Sequence, residues 1–192
     1  MLLIKKQLKE IKEILSKQTV GLHGSKQASI DKNLLIEQLN QLSQQGFTLK
    51  GYRNHYLYFD YQKSFKNLEE AGFLYDSTLG FSEYIGFRAG ISHPFYPYNI
   101  FEDRPFRVLE IPLCIMDTTL FTMGLSYTQA KVMIFKMIDQ AELNRSHISI
   151  LWHNTTFEWI DFPFWGKLYW DIIHYAKKKG GRVCDLEELV CG

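Results

Sequence analysis

The chain has no apolar run of the length that crosses a bilayer, which takes about 18 to 20 consecutive apolar residues. Its first residues, MLLIKKQLKEIKEILSK, place lysines after the apolar positions and offer no small-residue cleavage site, so we expect no signal peptide.

Cysteine is scarce too, and the three cysteines, Cys114, Cys184 and Cys191, lack metal-ligand spacing. They fit free thiols better than a disulfide framework or a zinc site, so we expect a cytoplasmic protein.

An excess of charge of one sign is also missing. Lysine and arginine number 22 against 21 aspartate and glutamate residues, which leaves a net charge of +1. A balance this even gives no indication of a nucleic-acid partner or of binding to an acidic surface. The lysines near the start of the chain fit the solvated face of an amphipathic helix.

Aromatic residues, in contrast, are abundant. They make up 15% of the 192 residues, and hydrophobic residues as a whole make up 46%. Domains commonly hold roughly 100 to 200 residues, so we expect a single globular domain over 1–192. Aromatic clefts suit sugars, whose C–H faces stack on rings, although most rings in a globular protein belong to its core.

Apolar periodicity predicts helices and strands that alternate along the chain. The predicted helices cover 2–17, 32–45, 64–71, 126–143 and 164–179. The predicted strands cover 20–22, 48–51, 73–75, 108–116, 148–152 and 182–184. This order favours an α/β fold with parallel strands and crossover helices. The glycine- and proline-rich segment 79–107 is predicted to be irregular and to form a lid or wall of the site.

Three histidines follow predicted strands. His23 ends the run TVGLH, His55 follows the strand over 48–51, and His153 ends ISILWH, the strongest apolar run. Ligands and catalytic groups gather where parallel strands give way to loops, so we expect these three side chains to share one cleft. The alternative is that each is a hydrogen-bonded structural histidine at the end of a strand.

Other polar residues support two interpretations each. Asp117 ends a predicted strand, where it could bind a substrate hydroxyl or cap a turn. His93 lies in the irregular segment and could line the cleft, but a loop histidine without a special role is the simpler expectation. We expect His147 and His174 on surface turns or helix faces.

Six segments, in this order and spacing, resemble the polysaccharide deacetylase-like domain, the NodB-homology group of carbohydrate esterases. They span about 20–154 and are GLHGSKQAS, RNHYLYF, AGFLYDSTLGF, GFRAGISHPFYPYN, LEIPLCIMDTTL and ILWHN. The resemblance implies a distorted, incomplete (β/α)7-type barrel with parallel strands and outer helices. It also implies metal-dependent removal of acetyl groups from N-acetylated sugars, with an acetylated amino-sugar polysaccharide or oligosaccharide as substrate.

The same resemblance implies a divalent metal, usually zinc. His23 matches the first histidine of the family's metal-binding motif, His-Ser/Thr-x-x-His, but Gln27 stands where its second histidine belongs. An amide oxygen is a poor zinc ligand. We therefore expect His55, at the neighbouring strand end, to take the second position.

Catalytic and substrate-binding roles follow by the same resemblance. Arg53 matches the arginine that orients the catalytic base, and His153 matches the histidine that acts as general acid to the leaving amine. Tyr56, Asp76 and Arg88 lie in matching segments and are candidates for substrate binding.

The chain departs from the family in lacking its Thr-Phe-Asp-Asp motif, which supplies a metal ligand and the general base. The sequence therefore looks like a domain without its N-terminal third, and we expect a weak or inactive hydrolase. A homo-oligomer or a partner chain could complete the barrel. The alternative is a non-catalytic carbohydrate-binding or scaffold domain derived from that fold.

Overall fold

The computed structural model describes residues 10–158 and 160–191. The fold is mixed α/β and comprises two compact units. The described part of the first unit comes from 10–76, 96–109 and 185–191, and that of the second from 77–95, 110–158 and 160–184. Among the helices of these residues, none has the length and apolarity needed to cross a membrane. The single domain over 1–192 stays a prediction.

The strands are short, and the helices vary more in length. The strands are β1 (Leu22–Gly24), β2 (Gly51–Asn54), β3 (Tyr75–Asp76), β4 (Tyr98–Asn99), β5 (Arg104–Pro105), β6 (Leu109–Glu110), β7 (Leu113–Met116) and β8 (Ser149–Leu151). The helices are α1 (10–15), α2 (Lys32–Ser43), α3 (Tyr61–Ala71), α4 (Asp117–Thr122), α5 (Tyr127–Asn144), α6 (Trp165–Lys178) and α7 (Glu188–Cys191).

A four-stranded parallel sheet, flanked by helices, has the strand order β1-β2-β3-β6. His23 pairs with Arg53 between the first two strands, and Tyr52 pairs with Asp76 between the next two. The carboxyl ends of β1, β2 and β3 therefore share one edge of the sheet. The prediction of parallel strands is confirmed, and within the described residues the sheet does not close into a barrel.

Capping residues explain the bounds of the helices in the first unit. The Asp31 side chain accepts hydrogen bonds from two backbone N–H groups at the start of α2, and Asp60 does the same for one N–H of α3. α3 ends at Gly72, whose φ of 84° lies in the left-handed region that favours glycine. Gly51 permits close strand packing, because a Cβ there would overlap the Tyr75 ring.

The second unit has a separate parallel pair, β7 and β8, packed with α4, α5 and α6. Ser126 and Gln129 form a capping box at the start of α5, where a helix was predicted. The core of this unit comprises Cys114, Ile115, Leu120, Ala130, Ile134, Ile138, Trp165, Leu168 and Ile172. Cys114 and Cys184 are free thiols, as predicted, and burial raises the pKa of Cys114 to about 12.

Several predicted elements differ from the structure. The first two strands lie later in the chain than the predicted 20–22 and 48–51, so His23 lies within β1 and does not follow it. The strand over 108–116 is interrupted at Pro112, which has no N–H to donate to a ladder. The strand over 182–184 is wrong, because the chain is still leaving α6 there: Gly181 N–H donates to Ala176 O at 2.8 Å and Val183 is half-exposed. Of the helix over 2–17, the part before residue 10 lies outside the described residues.

Glu69 on α3 holds the antiparallel hairpin of β4 and β5 in the first unit. Its side chain is only 6% exposed and accepts two hydrogen bonds from the Arg104 guanidinium, at 2.9 and 2.7 Å. The Arg107 backbone N–H donates a third, at 2.7 Å. These contacts, that from Arg104 foremost, lower the pKa of Glu69 to about 2.

We expect Glu69→Gln to remove part of the acid sensitivity of folding. The depressed pKa means that ionised Glu69 stabilises the fold above its ordinary pKa of 4.5, and that this stability is lost as pH falls toward about 2. Urea unfolding at neutral pH should show a loss of roughly 2 kcal/mol in the free energy of unfolding. This is less than the full pKa shift of Glu69 implies, because Arg104 is partly exposed to solvent. Glu70→Gln is the control, since the exposed pair of Glu70 with Lys32 is worth at most about 1 kcal/mol. Equal effects of the two variants would contradict this account.

Candidate functional site

Two histidines meet at the carboxyl edge of the parallel sheet in the first unit. His23 lies within β1, and His55 follows Asn54, the last residue of β2. Their Nε2 and Nδ1 atoms are 3.0 Å apart, and the rings stand edge to face with centroids 5.1 Å apart. Both side chains are exposed. The structure thus brings together the two residues predicted to bind a metal.

The buried side chain of Asn54 holds the turn that presents His55. Its amide nitrogen lies 3.0 Å from Lys26 O, 3.2 Å from His55 O and 2.9 Å from Tyr58 O. Its amide oxygen accepts a hydrogen bond from the Tyr52 hydroxyl. Asn54 therefore fixes the backbone on both sides of the histidine pair.

The turn itself is strained. Tyr56 and Leu57 both have positive φ, 61° and 52°, in the left-handed region that costs a non-glycine residue about 1–2 kcal/mol. The Tyr56 ring is 71% exposed and packs on His55, with centroids 4.1 Å apart. Strained residues of this kind persist where the surroundings hold them, and they cluster at functional sites.

The histidine pair fits part of a zinc site. Two imidazole nitrogens bound ~2.0–2.1 Å from one tetrahedral zinc ion lie roughly 3.3 Å from each other, close to the spacing of His23 and His55. Among the described residues, no group of three or more His, Cys, Asp or Glu side chains is arranged to hold a metal. The two imidazoles would therefore supply two ligands, and water or substrate would supply the others.

Two further candidates lie at the same edge. Arg53 is the partner of His23 in the strand register, and Asp76 ends β3 with its side chain fully buried. Burial, and then the charge of Asp76, raise the pKa of Tyr52 far above its ordinary value, so that this phenol stays protonated. Tyr52 is thereby kept as the hydrogen-bond donor to Asn54.

The second unit contains a buried carboxylate bonded to a histidine. Met116 of β7 pairs with Leu151 of β8, so the residues that follow these strands emerge at the same edge. Asp117, only 1% exposed, accepts a hydrogen bond from the His153 backbone N–H at 2.7 Å, and its Oδ1 lies 2.6 Å from His153 Nδ1. Thr156 Oγ1 and the Thr118 N–H donate to it at 2.6 and 2.7 Å.

This arrangement specifies how His153 can transfer a proton. The carboxylate of Asp117 holds the proton on Nδ1, which leaves Nε2 as the ring nitrogen available for chemistry. The His153 side chain is 38% exposed, so solvent or a substrate has access to it. Asp117 therefore has the position of a residue that orients a general acid or base.

The remaining candidates are placed as follows. Arg88 is exposed in the irregular segment of the second unit. A hydrogen bond from Thr119 Oγ1 to Ser82 O, at 2.9 Å, ties this segment to α4. His93 and His147 contact each other, a pairing that the sequence did not indicate. His23 and His55 belong to the first unit and His153 to the second, and a site shared by all three stays a prediction.

Sequence reasoning missed Asn54 and Thr156 and left the role of Asp117 open. Asn54 is buried, but the residues before it, Lys50-Gly51-Tyr52-Arg53, give no sign of this, and its role follows only from its hydrogen-bond partners.

The chain matched none of the protein-family models, curated proteins or solved structures with which it was compared.

We expect Asn54→Ala to destabilise the first unit and release the strained turn. The substitution leaves the Lys26 and Tyr58 carbonyls without this donor, so urea unfolding should show a loss of about 1–3 kcal/mol. Asn40→Ala, on an exposed position of α2, should cause no loss, because alanine has the higher helix propensity. A loss no larger than that of the control would show that Asn54 does not hold the turn.

We expect Asp117→Asn to lower the stability of the second unit substantially, although asparagine has nearly the same shape as aspartate. An amide nitrogen in place of one carboxylate oxygen would face N–H or O–H donors, so stability should fall by about 2–4 kcal/mol in urea unfolding. The exposed Asp161→Asn serves as the matched control and should stay within about 0.5 kcal/mol of the wild type. A neutral Asp117→Asn would mean that these donors do not depend on the carboxylate.

Proposed function

We propose that the chain is a metal-dependent hydrolase that removes acetyl groups from N-acetylated sugars, in line with its resemblance to polysaccharide deacetylase-like domains. The observation that carries this proposal is the contact of His153 with the buried Asp117 in the second unit. When an amide C–N bond breaks, an unprotonated nitrogen is a poor leaving group, so the cleavage needs a group that protonates the departing nitrogen. An oriented imidazole is suited to that step.

The paired imidazoles of His23 and His55 support the metal part of the proposal. A divalent ion bound to them would polarise the acetamide carbonyl and lower the pKa of a bound water toward ~7. Imidazole nitrogens are ligands that suit zinc. The exposed position of both rings leaves the remaining coordination positions accessible.

Proton transfer balances with His153 as the only acid–base group. Its neutral ring, with Nδ1–H held by Asp117, takes a proton from the attacking water at Nε2. The resulting imidazolium gives that proton to the amide nitrogen as the C–N bond breaks, and a free amine and acetic acid leave, the acid then losing its proton to solvent to become acetate. Asp117 accepts from Nδ1–H throughout and stabilises the charged intermediate state of the ring.

A second candidate function is non-catalytic binding of carbohydrate. Exposed aromatic rings in the first unit favour it, since sugar faces stack on such rings. They include Tyr56 at 71%, Tyr58 at 41%, Tyr61 at 41%, Tyr98 at 46% and Phe101 at 81% exposure. The backbone N–H of Tyr98 donates to the Tyr61 hydroxyl at 3.2 Å, which ties the Tyr61 side chain to the backbone of β4.

The barrel is likewise part of the proposal. The parallel order of β1, β2 and β3 and the alternation of strands with α2 and α3 support a distorted, incomplete (β/α)7-type barrel. An experimental structure of the chain is the measurement that tests it.

We expect zinc-loaded protein to release acetate slowly from N-acetylglucosamine oligosaccharides. His153→Ala should lower the rate by roughly 100-fold or more, the size of a lost general acid–base contribution. His23→Ala should lower the amount of zinc bound in equilibrium dialysis by one ion per chain, whereas His174→Ala, an exposed histidine on α6, should change neither property.

Three outcomes separate the candidates. Acetate release that survives His153→Ala would contradict the assigned acid, whatever the metal content. An unchanged number of bound zinc ions in His23→Ala would contradict the assigned ligands. Oligosaccharide binding without acetate release in the zinc-loaded wild type would favour the binding domain over the hydrolase.

A further inference from the structure

A second histidine pair lies in the second unit, between segments far apart in the sequence. His93 belongs to the irregular segment before β4, and His147 belongs to the connection between α5 and β8. Their Nδ1 atoms are 3.3 Å apart, and the rings meet edge to face with centroids 5.3 Å apart. This is the ring geometry of His23 and His55, although the two pairs lie on unrelated elements.

The spacing of the two Nδ1 atoms suits a shared metal ion as well as a hydrogen bond. At 3.3 Å it lies at the long end of N–H donor contacts, which usually measure ~2.7–3.2 Å. It also agrees with the roughly 3.3 Å between two imidazole nitrogens that share one tetrahedral ion.

The surroundings of the pair indicate which ion would bind. Ser92 and Ser146, the chain neighbours of the two histidines, line a cavity of about 380 Å³ together with Gln140, Asn144 and Lys136. Among the described residues that line it, none carries a carboxylate. Calcium and magnesium prefer carboxylate-rich sites, whereas imidazole nitrogens suit zinc, nickel and copper.

We propose that His93 and His147 form a second divalent transition-metal site, separate from the pair at His23 and His55. The two imidazole Nδ1 atoms bind the ion, and water fills its other positions. The bound ion cross-links two segments that are 54 residues apart in the sequence. It thereby fastens the irregular segment to the connection that precedes β8, which is a structural role independent of the proposed hydrolysis.

Site-resolved chemical modification tests the proposal on the intact chain. Diethyl pyrocarbonate modifies free imidazoles, and mass spectrometry reports the rate at each histidine after chelator treatment, with and without zinc. At a zinc or nickel concentration of roughly ten times the dissociation constant or more, we expect modification of both His93 and His147 to slow by at least about tenfold, because only the metal-free fraction reacts. His174, exposed on α6, is the internal control and should not change.

Substitution of one histidine distinguishes shared metal coordination from a simple contact between the two rings. In His93→Gln, zinc should no longer protect His147, while protection of His23 and His55, where present, should persist. Equal modification rates of His93 and His147 with and without zinc would overturn the proposal, as would protection of only one of them. Equal protection by magnesium would also overturn it, because magnesium does not favour imidazole ligands.

Discussion

The buried carboxylate of Asp117 is the interaction on which the second unit depends most. A carboxylate that is 1% exposed is costly unless donors surround it, and here four donors do so. Two come from the His153 residue itself, one through its backbone and one through its ring. The same contacts that compensate for burial therefore also fix the orientation of the one imidazole that the proposed chemistry needs.

In the first unit, too, a buried polar side chain positions a histidine, here at the edge of the parallel sheet. Parallel register places the ends of β1 and β2 side by side, and Asn54 then forces the chain into a strained turn that directs His55 toward His23. The strain at Tyr56 and Leu57 is local, and the Asn54 side chain that holds the turn is buried. A preorganised pair of metal ligands would benefit from such a turn.

Local patterns predicted much of the fold. Asp31 and Ser126 marked the starts of α2 and α5 because capping depends on neighbouring residues alone. The position of His153 after a strand also followed from an apolar run, whereas His23, predicted to follow the strand over 20–22, lies within β1. The partners of these histidines did not follow from such runs, because Asp117 meets His153 only through the pairing of β7 with β8, 36 residues apart. The contact of His93 with His147 is non-local for the same reason, and periodicity carries no information about it.

The central claim is that Asp117 holds the proton of His153 on Nδ1 and leaves Nε2 for chemistry. Proton–nitrogen correlation spectra of the nitrogen-labelled chain report directly which ring nitrogen carries the proton. The account predicts that neutral His153 is the Nδ1-protonated tautomer, in contrast to the exposed His174. A neutral His153 with its proton on Nε2 would contradict the account, since the carboxylate would then have no ring proton to accept.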